Sequence, residues 1–325
     1  MSVKIVGTGS FLPAHIVTNE DLSNMMDTSD EWIKSRTGIE TRHLAKDETT
    51  TGMAIEAAKK ALANADLEAA DLQLIIVATV SADHLLPCTS CEVQAGLGAD
   101  QAVVFDINAA CTGFLYALQI ARGMLESNLY QNALIIGAET LSKIMDWNDR
   151  STCVLFGDGA GAAILKNDPD DHGASGIRSC FLGADGKRGE ALSCHNRSNN
   201  NILTHMEQKI DYVKMDGQAV YKFAVKTVPA TILEALSEAE TEIDEIKYFV
   251  LHQANMRIIE SVAKRLGVSM EKFPVNLNRN GNISAASVPI LLDEINQEGL
   301  LNPGDKIILA GFGGGLTFGA SVVVW

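Results

Sequence analysis

A-V-V-F-D-I-N-A-A-C-T-G-F-L-Y-A-L, residues 102–118, and F-P-V-N-L-N-R-N-G-N-I-S-A-A-S-V-P-I-L-L, residues 273–292, describe the same local event twice. Each reads as a strand, a turn of small residues and a helix with an apolar face. Each follows a helix ending in Leu-Gly, Leu97-Gly98 and Leu266-Gly267, with Gly in the usual stop position. Working outward, the amphipathic helix at 53–65 and the strand at 71–80 are answered by the helix at 220–236 and the strand at 246–255. Beyond the paired turns, A-L-I-I-G (133–137) and K-I-I-L-A-G (306–311) each lead into a glycine-rich pair of strands. Helix and strand alternate throughout, which is an α/β pattern, and the repeat makes it a pseudo-twofold molecule of two halves. The polar stretch K-N-D-P-D-D-H-G, residues 166–173, reads as the linker, dividing the chain into 1–170 and 171–325.

Equivalent strand ends of two such halves converge, as ligand sites do at the carboxyl ends of open α/β sheets. In this register Ala78 corresponds to His252, and Cys111 lies in the slot that Asn282 occupies in the other half. A cysteine, a histidine and an asparagine are therefore expected at one central point.

Bulk properties narrow the class. With 325 residues, 46% hydrophobic and 21% charged, the chain can bury a sizeable core and is not a disordered polymer. No apolar run approaches the roughly 18 residues of a membrane span, and the N-terminus reads as a strand rather than a signal peptide. A cytoplasmic location is expected. Six cysteines in a chain this long do not make a disulfide framework. A net charge of −15 argues against nucleic acid as a partner, and any acidic partner must be met by a local basic patch.

Cys111 precedes the helix T-G-F-L-Y-A-L-Q-I-A-R, where backbone N–H groups and the helix dipole favour a thiolate nucleophile. Taken alone it reads more readily as a small core residue, and the repeat argument makes it the favoured nucleophile. His252 closes the apolar strand Y-F-V-L-H and alone would be a satisfied core histidine; Asn282 alone would be a helix cap. Cys88 and Cys91 form a C-x-x-C with no second pair, so a zinc site lacks ligands and chance spacing is the simpler reading. Cys153, Cys180 and Cys194 have no context for reactivity and read as structural. No metal site is expected. The segment G-F-G-G-G-L-T-F-G (311–319) is followed by a strand, so it is no phosphate cradle. Its glycines let the backbone approach a reacting centre, and an N–H there suits an oxyanion. On the helix from Met256 to Leu266, Ile258, Ile259, Val262 and Leu266 form the apolar face. Arg257, Lys264 and Arg265 lie opposite as a basic face, a docking site for an acidic partner or a solvated helix surface.

Six ordered motifs carry a resemblance across essentially the whole chain: D-E-W-I-K-S-R-T-G-I, A-A-C-T-G-F, D-R-S-T-C-V-L-F-G-D-G-A-G, H-Q-A-N-M-R, G-N-I-S-A-A-S and G-F-G-G-G-L-T. The sequence resembles the bacterial β-ketoacyl-acyl-carrier-protein synthase III family, the initiating condensing enzymes of fatty acid synthesis. The resemblance implies a thiolase-like fold in α-β-α-β-α layers and a Cys111, His252, Asn282 triad. It implies an oxyanion hole from the N–H groups of Cys111 and Gly314. Acyl-coenzyme A would be the starter substrate and malonyl-acyl carrier protein the extender, with no cofactor. Trp32 and Arg150 would sandwich the adenine, with Thr28, Arg36 and Thr37 nearby and Asn255 along the pantetheine tunnel. Lys222, Arg257, Lys264 and Arg265 would receive the carrier protein. A homodimer is implied, with the segment around Leu86 reaching the partner's acyl pocket; Leu86 replaces the Phe of some acetyl-selective relatives. The Asn-rich stretch 196–201 matches poorly and reads as a variable loop.

Rivals on the same fold are weaker. A degradative thiolase needs a second reactive cysteine near the C-terminus, and none follows Cys194. Elongating synthases usually place His where Asn282 stands. A specialised condensing enzyme with the same triad and another acceptor stays open, whereas an inactive carrier-binding module would not keep the triad.

Overall fold

Leu74 and Ile76 face one way from their strand and Ile75 and Val77 the other, and all four are fully buried. A strand covered on both faces belongs to an inner layer. The computed structural model describes residues 2–170, 175–206 and 211–325. Its first half contains β1 (Ser2–Phe11), β2 (Ile16–Thr18), α1 (Asn19–Ser23), α2 (Asp30–Thr37), β3 (Thr41–His43), α3 (Thr50–Asn64), β4 (Leu74–Ala78), α4 (Thr89–Leu97), β5 (Val103–Ile107), α5 (Gly113–Glu126), β6 (Asn132–Thr140) and β7 (Asp158–Asp168). The second contains β8 (Gly176–Ala184), the short strands β9 (Leu192–Ser193), β10 (Asn200–Asn201), β11 (Thr204–His205) and β12 (Lys214–Met215), then α6 (Gly217–Glu238), β13 (Ile246–Leu251), α7 (Met256–Leu266), α8 (Leu277–Asn280), α9 (Ser287–Gln297), β14 (Lys306–Gly313) and β15 (Thr317–Val324).

The two main sheets run β1-β7-β6-β4-β5 and β13-β14-β15-β8. Helices α5 and α9 lie between them, in one core with Leu74, Ile76 and Ile135 of the first sheet and Val250, Ile307 and Leu309 of the second. Helices α3 and α4 cover the outer face of the first sheet, and α6 and α7 that of the second. The result is the five-layer α-β-α-β-α arrangement of the thiolase-like fold. A smaller cluster around Leu22, Ile33, Ile39, Val154 and Phe156 forms a cap that carries α2.

The repeat is visible in the pairing. Strand β4 is parallel to β6, which is antiparallel to β7, which is antiparallel to β1; β13, β14, β15 and β8 repeat that pattern. Gly98 and Gly267 end α4 and α7 with φ of 71° and 70°. Three sequence expectations need correction. Residues 273–276 are not a strand, and Pro274, which has no N–H to give a ladder, accounts for the missing counterpart of β5. The supposed linker is shorter, since Lys166, Asn167 and Asp168 belong to β7 and pair with β1; residues 171–173 lie outside the described residues.

The third correction is one of register. Ala110 and Ser284 both have φ of 46°, and each opens a single 3₁₀ turn leading into α5 or α9. Cys111 therefore corresponds to Ala285, and Asn282 to Asn108. A Cβ at Gly311 would meet Cys111 O at 3.6 Å, just as one at Gly137 would meet Ala285 O. The sequence register slipped by three because both turns are runs of small residues that align equally well either way. The pairing of Ala78 with His252 is kept: Ala78 lies beside Gly137, and Leu251, one residue before His252, beside Ala310.

Candidate active site

Cys111 sits on the turn between β5 and α5 with 7% of its surface exposed. Its own N–H, the N–H of Gly314 and the Ser284 hydroxyl are the groups that favour its charged form. Those donors stabilise a thiolate, as the sequence suggested. Burial outweighs them, and the Glu139 carboxylate adds repulsion, so the thiol is pushed up to about 11 rather than lowered. Gly313 explains how the backbone comes so near: a Cβ there would lie 2.7 Å from Cys111 N.

His252 follows the last residue of β13, and its N–H donates to Ala310 O at 2.8 Å. It flanks Gly311 opposite Cys111: a Cβ at Gly311 would stand 3.5 Å from His252 Cβ and 3.6 Å from Cys111 O. The imidazole meets Phe312 edge-on at 5.5 Å, and its Nδ1 has no partner. Complete burial without a counter-charge pushes its pKa down to about 3, so the ring is neutral at working pH. Asn282 bridges to Phe156 and is held by Asn282 N–H to Leu155 O at 2.9 Å. Its Oδ1 accepts from Ser284 N–H at 2.9 Å, which turns the amide and leaves Nδ2 as its free donor.

Two residues escaped the sequence reading. Glu139, near the end of β6, is completely buried. Its Oε2 accepts from Val80 N–H at 3.1 Å, Thr79 Oγ1 at 3.3 Å and Ser81 Oγ. Burial raises the carboxyl to about 7 against those hydrogen bonds. The signal was present: Glu139 is the one charged residue in the strand N-A-L-I-I-G-A-E-T. Ser284 was legible only as one of a run of small residues.

On the outer cap, Trp32 of α2 has the Arg36 guanidinium 5.0 Å and the Arg150 guanidinium 5.4 Å from its ring centre. Arg150 is also tied to the Asp27 carbonyl and to its carboxylate at 3.1 Å. Thr28 Oγ1 is buried without a partner. Thr37 is buried, and its hydroxyl serves Ile33 O and Ile39 N–H, which makes it a stop for α2. Asn255 caps α7 and reaches Arg36 O at 3.0 Å, joining α7 to α2. The buried Arg42 ties the parts of the cap together through Asn19 Oδ1 at 2.9 Å and Val154 O at 2.8 Å.

Lys222, Arg257, Lys264 and Arg265 are all exposed. Arg257 donates to Ser35 O at 2.6 Å, and exposed Glu260 interrupts α7, so the face is not purely basic. Leu86 is 88% exposed on the loop before α4. The Cys88 and Cys91 sulfurs are 3.3 Å apart as free thiols, and no group of three or more metal-binding side chains exists among the described residues. Cys153 is buried beside Met26 and Cys180 is half-buried, but Cys194 is exposed and is no core residue. At the end of the Asn-rich stretch β10 pairs with β11, which lies beyond it, as a small hairpin. No helix of the described residues is long and apolar enough to cross a membrane.

Comparison with known proteins finds relatives along the whole chain. Residues 105–186 match the family description 3-oxoacyl-[acyl-carrier-protein (ACP)] synthase III, and residues 236–325 its C-terminal part. A β-ketoacyl-[acyl-carrier-protein] synthase III of Clostridium botulinum is 51% identical, covering 100% of this chain and 99% of that protein. The crystal structure of 3-oxoacyl-[acyl-carrier-protein] synthase III from Aquifex aeolicus superposes with a TM-score of 0.93 at 44% identity, covering 99% of this chain and 100% of that one. The Thermus thermophilus enzyme gives a TM-score of 0.92 at 40% identity over 99% of both chains. With two thiolase-like halves and relatives of this identity along its whole length, this chain belongs to the β-ketoacyl-[acyl-carrier-protein] synthase III family and is a condensing acyltransferase of fatty acid initiation.

Proposed function

We propose that Cys111 takes an acyl group from acyl-coenzyme A and passes it to the carbanion formed from malonyl-acyl carrier protein. In the first half-reaction the Cys111 sulfur displaces coenzyme A, forming the acyl thioester and releasing the free thiol of coenzyme A. The malonyl thioester then binds and loses carbon dioxide. The enolate oxygen that develops accepts hydrogen bonds from His252 and from Asn282 Nδ2. Its carbon attacks the acyl-Cys111 carbonyl, whose oxyanion rests on the N–H groups of Cys111 and Gly314. Collapse expels the Cys111 sulfur and gives 3-oxoacyl-acyl carrier protein. The observation that carries this reading is His252, buried beside Cys111 with its Nδ1 unpartnered and no counter-charge: such a ring donates to an enolate rather than removing a proton.

The nucleophile comes from residues 1–170 and the enolate donors from 171–325, so the division between halves is also a division of labour. Trp32, Arg36 and Arg150 offer a flat cationic stack for an adenine, with Thr28 and Thr37 beside it and Asn255 on the way inward. Lys222, Lys264 and Arg265 meet the acidic carrier protein, while Arg257 both meets it and braces α2. A homodimer is supported by β5, an edge strand with Val103 exposed, and by exposed Leu85 and Leu86 on the neighbouring loop. Open edges of this kind are ordinarily covered. Leu86 would then line the partner's acyl pocket. We place the enzyme in the cytoplasm, acting without a cofactor.

The test is acyl transfer without extender. Radiolabelled acetyl- and isobutyryl-coenzyme A are incubated with the protein and with Cys111→Ala, and label is located by peptide mapping. Label on Cys111 that vanishes in the variant supports the reading, and the ratio of the two labels reports the pocket. Label on another residue, or none, overturns it.

A further inference from the structure

The turn that offers the Gly314 N–H is built from three consecutive glycines, Gly313 to Gly315, and Gly315 has φ of 129°. Such a backbone has little stiffness of its own, so the place of that N–H is set by what the turn is tied to. Gly313 packs on Cys111, and Leu316 exchanges two backbone hydrogen bonds with Asp185, at 2.7 and 3.1 Å. A further tie is made by side chains. Thr112, next to Cys111 and fully buried, places its Oγ1 2.7 Å from Thr317 Oγ1. Thr317 Oγ1 stands 2.9 Å from Gly314 O and 3.2 Å from Ala109 O, and Thr112 Oγ1 stands 2.7 Å from Ala109 O.

Each hydroxyl has one hydrogen to donate, so not all of these contacts are hydrogen bonds at once. Ala109 O already accepts the Thr112 N–H at 3.2 Å. If Thr112 donated to Ala109 O and Thr317 to Gly314 O, two sets of lone pairs would face each other at 2.7 Å. The arrangement that avoids this and keeps Gly314 O partnered is a relay. Thr112 donates to Thr317, and Thr317 donates to Gly314 O.

We propose that Thr112 and Thr317 are positioning residues, a hydroxyl clasp that holds the oxyanion turn against the nucleophile turn. The clasp crosses the boundary between the halves, as the pair of N–H donors does: Cys111 and Thr112 lie in one turn, Gly314 and Thr317 in or beside the other. Two donors serve one oxygen only at a fixed separation, and the clasp sets it. The proposal rests on Cys111 being the acylated thiol. Absence of acylation in the wild-type protein removes both, whereas equal acylation of wild type and Thr317→Val removes the clasp alone.

The experiment compares two reactions of Cys111 in the full chain, each read by peptide mass spectrometry. Acylation by acetyl-coenzyme A puts charge on a carbonyl oxygen and needs both N–H groups in place. Alkylation by iodoacetamide displaces iodide at a saturated carbon and needs the sulfur alone. Thr317→Val keeps the shape of the side chain and leaves Thr112 able to donate to Ala109 O, so it orphans no buried hydroxyl. It should slow saturated acylation by about 10- to 100-fold, with the half-saturating acetyl-coenzyme A concentration unchanged. Alkylation should stay within about twofold of wild type, and Thr317→Ser, which keeps the hydroxyl, should restore acylation. Thr112→Val cuts the same link while Thr317 still holds Gly314 O, and stands in should Thr317→Val not fold. It should slow acylation in the same sense, and the double variant should be no slower than Thr317→Val, because one link is lost once. Acylation at the wild-type rate in either single variant overturns the proposal. So does alkylation that falls in step with acylation, which is what a merely structural role of the two threonines would give.

Discussion

Gly313 packs against Cys111 so closely that a Cβ built on it would fall 2.7 Å from the Cys111 amide nitrogen and 2.8 Å from its Cβ. The contact joins the last turn of the chain to the nucleophile and places the Gly314 N–H beside the sulfur. Backbone conformation does not demand glycine here, since φ of −171° is ordinary extended chain; the space does.

Gly313→Ala should therefore act by displacement. The added methyl must move the Cys111 turn, and overpacking of this kind costs about 1–3 kcal/mol of stability. The reacting atoms move with it, so acylation of Cys111 should fall by about 100-fold. Thermal unfolding and the rate of Cys111 acylation, read by intact mass, check the two halves of this prediction; unchanged acylation would show that the turn absorbs the methyl.

Asn282→Ala removes the proposed enolate donor and the acceptor for Ser284 N–H. Condensation with the malonyl extender should drop by about 100- to 1,000-fold, the usual cost of losing one such donor. Acyl transfer to Cys111 should stay within a fewfold of wild type. A parallel loss in both half-reactions would assign Asn282 to the architecture of the site instead.

Stability should depend on pH through two buried groups with opposite signs. His252 is depressed to about 3, so the unfolded chain binds a proton that the folded one refuses, and stability is lost as pH falls below 6.5. Glu139 is raised to about 7, so its contribution is complete below 4.5 and lost as pH rises through 7. Between 4.5 and 6.5 the two slopes oppose each other. Glu139→Gln should unmask the histidine, steepening the rise of stability with pH in that window by about 1.4 kcal/mol per pH unit. Urea unfolding at several pH values measures it.

Charge reversal on α7 tests the docking surface. Lys264→Glu combined with Arg265→Glu should raise KM for malonyl-acyl carrier protein by about tenfold or more, with the effect shrinking at high salt. Acylation by acyl-coenzyme A should be unaffected, because neither residue makes a contact within the cap. Arg257 is a poorer probe, since its bond to Ser35 O also braces α2.

Much of the fold was legible because its periodicities are local. The alternation in D-L-Q-L-I-I-V-A and I-K-Y-F-V-L, and the glycine stops at Gly98 and Gly267, depend on neighbours in sequence and were read correctly. The candidate triad was legible from residue types near strand ends and from the family motifs, since the pairing of Cys111 with Asn282 did not hold. The register of the turns was not: N-A-A-C-T-G and N-I-S-A-A-S offer only small side chains, and nothing but the φ of 46° at Ala110 and Ser284 distinguishes one alignment from another. The counterpart of β5 was over-read because apolar residues flank Pro274, whose missing N–H weighs more than their hydropathy.

The sequence by itself determined the two-half α/β architecture, the family, and which cysteine, histidine and asparagine to watch, since each of these is carried by residue type and order. Tertiary structure decided the ionisation of those groups. Burial, a property of the whole packed core, makes His252 neutral and the Cys111 thiol reluctant, against the lowering that a helix start alone would give. It also decided that Gly137 on a strand of one half and Ala285 in the turn of the other meet with no room for a Cβ between them. That meeting exists only because α5 and α9 share one layer between the sheets, so that the end of one half's strand reaches the turn of the other.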